Sequence, residues 1–268
     1  MNTAKIILTC LCITISGCDS EKSPIKIFFI GNSQLGVADG IPGHPVYDLP
    51  NMLQDLSESA PAGYPRFETR QKRVDGASLK KQWKLGEGPA TERGMIANGK
   101  WDYVVIQEIY YAGKPEFETY ASLFDGAIRK AGAKTILFAT AGVTSSYDPS
   151  FPAYPDGFKV LNDMQVSWAR KMRIPVVAAG YAWIRYLGPD PSEEKLLSLY
   201  NKDKGHPGYK GSYIYACLLY AVITGKNPAG LTSEFKDQRI KDAIKIDKDE
   251  AARMQQAAWD QYLENNKK

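Results

Sequence analysis

Short segments with the makings of strands alternate with stretches of helical spacing, and this alternation limits the possible folds more than any other feature of the chain. The segments are KIFFIG (26–31), RFETRQKRV (66–74), DYVVIQ (102–107), KTILFAT (134–140) and IPVVAAG (174–180). Most are nearly continuous apolar runs, as expected of parallel strands buried on both faces. Between them YDLPNMLQDLSES (47–59), EFETYASLFDGAIRKAG (116–132) and VLNDMQVSWARKM (160–172) read as helices, the second closing on glycine. Strands alternating with helices imply an α/β protein whose central parallel sheet is covered on both sides.

After the fifth strand the pattern turns helical. AWIRYL (182–187) and PSEEKLLSLY (191–200) read as short helices, and SYIYACLLYAVITG (212–225), apolar nearly all round, as a buried one. KDEAARMQQAAWDQYLENN (248–266) is amphipathic and belongs on the outside. Residues 142–158, rich in Pro, Gly, Ser and Tyr, read as a long ordered loop, and KLGEGPA (84–90) as a shorter one.

The N-terminus is read apart from the fold. Lys5 precedes the apolar run 6–17, which is too short to span a bilayer, where about 20 apolar residues are needed. The tetrad Ile15-Ser16-Gly17-Cys18 resembles the lipobox of bacterial lipoproteins. That resemblance implies a signal peptide at 1–17, a lipidated Cys18, a polar tether at 18–24 and one domain at 25–268. The protein is thus expected to be exported and anchored in the periplasm or at the cell surface, touching the membrane through its lipid alone. Of the four cysteines, Cys10 and Cys12 would leave with the leader and Cys18 would carry lipid, so Cys217 has no disulfide partner. Within an apolar helix it reads as a small buried hydrophobe.

The formal net charge is only +4, with acids and bases interspersed, which argues against a nucleic-acid partner. Two histidines, His44 and His206, and no cysteine pair give no metal-ligand spacing, and no phosphate-cradling glycine motif is present; neither metal nor cofactor is expected.

An open parallel sheet binds ligands at the carboxyl ends of its strands. Ser33 follows the first strand, Gly76 the second, and Gln107 closes the third, while Asp203 and His206 share the late loop NKDKGHPGYKG (201–211). Acyl transfer needs a hydroxyl nucleophile, a base, a carboxylate to orient the base, and donors for the oxyanion. This chain can supply all four. Pro207 would suit the first turn of a helix starting near Tyr209.

Gly31-Asn32-Ser33, the isolated Gly76 and Asp203-Lys204-Gly205-His206-Pro207 together resemble the SGNH hydrolases, the GDSL-like esterase superfamily, over roughly residues 25–225. The resemblance implies a three-layer α/β/α sandwich with a central five-stranded parallel sheet of flavodoxin-like type. It also implies Ser33 as nucleophile, His206 as general base and then acid, Asp203 as the orienting group, and Ser33 and Gly76 N–H as oxyanion donors. The family's third donor is the asparagine of a GxND block, which is missing here; VVIQE stands in its place, and Gln107 is the nearest chemical substitute. The alternative is that Gln107 merely closes a strand and the hole has two donors. Asn32, Glu108, Tyr110 and Tyr111 are candidate substrate contacts, and His44 a loop histidine close in sequence to Ser33.

The expected reaction is hydrolysis of a small acyl ester, acetyl foremost, on a carbohydrate; a lysophospholipase or thioesterase is the runner-up among enzymes. A glycan-binding lipoprotein that has lost turnover together with the GxND block is the alternative from another class.

Overall fold

The computed structural model describes residues 23–36, 48–235 and 244–267. The leader, Cys18, most of the tether and His44 lie outside the described residues. Chain order is β1 (Ile25–Gly31), α1 (Leu49–Ser59), β2 (Phe67–Arg73), α2 (Leu79–Trp83), α3 (Glu92–Asn98), β3 (Tyr103–Gln107), α4 (Lys114–Lys130), β4 (Lys134–Ala139), α5 (Asp156–Met172), β5 (Val176–Ala178), α6 (Ala179–Leu187), α7 (Glu193–Leu197), α8 (Tyr209–Thr224), β6 (Glu234–Phe235), β7 (Ile244–Lys245) and α9 (Lys248–Asn265).

β1 to β5 form one sheet in the order β2-β1-β3-β4-β5, and every pair is parallel. Alternate residues of each strand feed opposite cores. Ile27, Phe29, Val105, Ile136, Phe138 and Val177 face the layer of α1, α6 and α8; Phe28, Ile30, Val104, Ile106 and Leu137 face α2, α3 and α4. Each fully buried Phe or Ile contributes about 1.5–3 kcal/mol, so the two cores carry most of the folding free energy. β2 is polar because it is an edge strand: only Phe67 is buried, and its exposed charges discourage pairing with another chain.

α8 is enclosed by α1 on one side and α9 on another, which explains its apolar circumference. Within it Tyr215 stacks on Trp183 of α6, with ring centroids 5.0 Å apart. Cys217 is a fully buried free thiol whose pKa burial pushes up, in keeping with a packing role. Where α8 begins the structure differs from expectation. The N-cap is Gly208, and Pro207 lies outside the helix in an isolated antiparallel bridge with Tyr200. Among the described residues, no helix is long and apolar enough to cross a membrane.

Candidate active site

The site is assembled at the carboxyl ends of β1, β2, β3 and β4 by the loop preceding α8. β1 ends on Gly31, where a Cβ would sit 2.6 Å from Gln107 Oε1 and 2.7 Å from Leu35 Cδ1, so the close approach of β3 requires a glycine. The chain then turns through one 3-10 turn, Ser33–Leu35, capped by Asn32, whose Oδ1 accepts from Gln34 N at 3.1 Å. That turn lifts Ser33 out of the strand while Asn32 and Gln34 stay buried. A strand so apolar ends on a presented hydroxyl because its neighbours on either side anchor the turn.

On the other side of the site Asp203 organises its own loop. Its Oδ1 accepts from Gly205 N at 2.8 Å and His206 N at 2.9 Å, an Asx-type turn that brings the imidazole back over the carboxylate. Oδ2 meets His206 Nδ1 at 2.6 Å, and His206 Nε2 meets Ser33 Oγ at 2.8 Å. Ser33, His206 and Asp203 are thereby joined in one hydrogen-bonded chain across 173 positions of sequence. Partial burial pushes the Asp203 carboxyl upward, but the bonds from Gly205 N–H, the His206 ring and His206 N–H outweigh it and hold the group below the usual carboxylate range. Asp203 thus stays ionised where an imidazolium would need it.

Three residues that no motif singled out lock the two halves together. Gln34 Nε2 donates to the carbonyl of Gly205 at 2.8 Å, while its Oε1 accepts from Thr140 Oγ1 at 3.3 Å. Thr144 donates from both N (3.2 Å) and Oγ1 (2.8 Å) to the carbonyl of Lys204, a residue held at φ 61°. The residue after the serine therefore grips the residue before the histidine. Tyr147 closes the far side, its ring edge-on to His206 with centroids 5.8 Å apart. A Cβ on Gly205 would lie 2.3 Å from that ring, so a side chain here would have to push the Tyr147 ring aside.

Gly76 sits in the loop after β2 with φ 65°, and neither its N–H nor that of Ser33 has an acceptor among the described residues. The loop is tied beside Ser33: Val74 N donates to Gly31 O at 3.0 Å, and Asn32 Nδ2 to Ala77 O at 3.2 Å.

Three of the remaining sequence candidates, Gln107, Asn32 and Glu108, are placed differently from expectation. Gln107 is fully buried; its Oε1 accepts from Asn32 N at 2.9 Å and its Nε2 donates to the Glu108 carbonyl, so the amide braces β1 against β3 and is not offered to the rim. Asn32 and Glu108 are likewise buried, at 1% and 0% exposure, and cannot touch a substrate in this arrangement. Tyr111 is 63% exposed and packs edge-on against Tyr110, which in turn meets Phe151 and donates to Asp148 Oδ2 at 3.0 Å. Burial and that bond raise the Tyr110 phenol to about 12, so it remains neutral. No group of three or more metal-ligating side chains occurs among the described residues.

No family model matches the chain, and no curated protein matches it. Solved structures do. A protein of Slackia heliotrinireducens, provisionally assigned as an SGNH hydrolase, is similar at TM-score 0.56 and 20% identity, covering 76% of this chain and all of that one. An α/β-hydrolase enzyme from the metagenome of Lake Arreo, Spain, matches at TM-score 0.53 and 17% identity, over 75% of this chain and 95% of its own. An acetyl xylan esterase matches at TM-score 0.51 and 15% identity, over 74% of this chain and all of its own. At such identities the likeness is one of fold: this chain has the α/β/α fold of the SGNH hydrolases.

Proposed function

We propose that the protein is an exported serine esterase that removes a small acyl group, acetyl foremost, from a carbohydrate, with Ser33, His206 and Asp203 as its catalytic triad. The observation that carries this reading is the unbroken chain from Ser33 Oγ through the imidazole to Asp203, with contacts of 2.8 and 2.6 Å. Packing alone has no use for such a chain at a strand end, and the triad is recognised by geometry and roles.

In the first step Ser33 Oγ attacks the ester carbonyl and His206 Nε2 takes its proton, while ionised Asp203 stabilises the imidazolium at Nδ1. The carbonyl oxygen becomes an oxyanion facing the unpartnered N–H groups of Ser33 and Gly76. His206 then returns the proton to the departing alcohol, leaving an acyl-Ser33 that water hydrolyses by the same steps. With Gln107 committed to the main chain, the hole assigned here has two donors. A missing donor is worth roughly 3–4 kcal/mol in related chemistry, so turnover should be modest.

Support for a sugar comes from the exposed rings of Tyr111 and Tyr147 at the rim, since aromatic faces suit the apolar faces of pyranose rings, and from the acetyl xylan esterase among the similar folds. Export rests on the leader and Cys18, read from sequence alone. The lack of a third donor is what favours the competing reading of a glycan-binding protein without turnover.

Release of p-nitrophenol from its acetate and of acetate from acetylated xylo-oligosaccharides decides between them, using the form beginning at Asp19 and its Ser33→Ala variant. Turnover in the former and only background in the latter are expected. Equal rates in both would point to the binder.

A further inference from the structure

Glu108, the first residue after β3, is a fully buried carboxyl that the triad does not use. Its Oε1 accepts two main-chain hydrogen bonds, from Ile109 N at 2.7 Å and Leu79 N at 3.0 Å. Its Oε2 is buried with no hydrogen-bond partner among the described residues. Leu79 opens α2, three positions beyond Gly76, so the stretch from Val74 to Leu79 is held at three points: Val74 to Gly31, Ala77 to Asn32, and Leu79 to Glu108. The Gly76 tip makes no close packing of its own, since a Cβ there would meet nothing within 4 Å. The position of its N–H is therefore set by the tethers, and only one of them is a carboxylate.

We propose that ionised Glu108 is a positioning residue that clamps the loop bearing the Gly76 oxyanion donor against the end of β3, and that taking up a proton slackens the clamp. The proposal rests on the esterase reading for its effect on rate, but not for the clamp itself. A glutamine could accept the same two N–H groups without the cost of burying a charge, so the charge is what this position adds: main-chain N–H bonds to a carboxylate are stronger than those to a neutral oxygen. Protonation would put the hydrogen on Oε2, where no acceptor is found among the described residues, and leave Oε1 a neutral acceptor. Burial raises the Glu108 carboxyl to about 7, against the opposing bonds from Ile109 and Leu79, with Glu116 of α4 raising it further. Of the charged groups on the neighbouring helices, Glu116 of α4 acts on Glu108, and it is itself paired with Lys80 of α2 at 2.7 Å. The clamp thus titrates in the range where an esterase works.

The test uses the full chain and its Glu108→Gln variant, with two readouts. Hydrogen exchange of the segment spanning Gly76–Leu79, through local openings that release Leu79 N while Glu108 stays buried and corrected for the intrinsic pH effect, should quicken in the wild type as pH falls through about 7 and be independent of pH in the variant. With p-nitrophenyl acetate, kcat/KM of the wild type should show an additional drop of about tenfold as pH falls through about 7, a step absent from the variant. At pH 8 the variant should lose about tenfold in kcat with KM little changed. Exchange that ignores pH in the wild type overturns the clamp; exchange that titrates while both proteins share one kcat/KM profile, with no extra step in the wild type, overturns its role in positioning. A wild type that hydrolyses no ester but shows titrating exchange removes the esterase reading and leaves the clamp standing.

Discussion

Ser33 and His206 are single side chains whose removal should silence turnover without unfolding the protein, because the Ser33 hydroxyl and the His206 ring belong to the rim and not to a core. Replacing either by alanine is expected to lower kcat by several orders of magnitude with an unchanged circular-dichroism spectrum. Gln34 acts differently, since it touches neither hydroxyl nor ring. Gln34→Leu leaves the Gly205 carbonyl without its donor and should reduce kcat by about 10- to 100-fold, with KM moving little, because only the distance between nucleophile and base is disturbed. Steady-state kinetics on p-nitrophenyl acetate measures that split; a loss confined to KM would assign Gln34 to substrate binding instead.

The same scale holds a stability effect. Glu108 titrates near 7 in the fold, above its ordinary value of 4.5, so the native state binds a proton that the unfolded chain has already released between those limits. Stability therefore decreases as pH rises from about 4.5 to about 7, by an order of 3 kcal/mol from this group, and is not regained above. Chemical denaturation across that range should show the decline in the wild type and its loss in Glu108→Gln.

Among the elements, the end of β1 is the one most tightly specified. Gly31→Ala would push a methyl group into Gln107 Oε1 and Leu35, costing about 1–3 kcal/mol and displacing the turn that presents Ser33. The denaturation midpoint should fall and activity with it; an unaltered midpoint would show that β1 and β3 approach less closely than described. The four strands β1, β3, β4 and β5 were readable because burial on both faces leaves an apolar run that few other structures produce. α2 and α3 were not, being only 5 and 7 residues long and too short for a repeating apolar stripe. Their caps, Ser78 accepting from Lys81 N and Thr91 from Gly94 N, were the available signal.

Legibility of the site followed similar lines. Side chains that do chemistry stand in short local patterns such as Gly-Asn-Ser and Asp-Xaa-Xaa-His, whereas those that position them bond to main-chain atoms far away. Gln34 grips a carbonyl 171 positions on, and Thr144 one 60 positions on, with no spacing rule to betray either. Gln107 was legible as a residue at a strand end but not in its direction, because its orientation is decided by the Asn32 N–H across the sheet.

At the scale of the whole molecule, helices cover each face of a parallel sheet whose rim lies at the strands' carboxyl ends, and delivery to the envelope is a proposal read from the N-terminal sequence. Cys18 lies outside the described residues, so the proposed lipid anchor is tested in cells: Cys18→Ala should shift the protein from membrane to soluble fractions, and unchanged fractionation would contradict the anchor.

The central claim is that Ser33 is a nucleophile activated by His206, and covalent labelling addresses it without any assumption about substrate. Incubation with a fluorophosphonate followed by peptide mass spectrometry should place a single adduct on Ser33, formed quickly by the wild type and at least a thousandfold more slowly by His206→Ala, the order of loss expected when a triad member is removed. An adduct on another residue, or labelling of Ser33 at equal rates in both proteins, would contradict it.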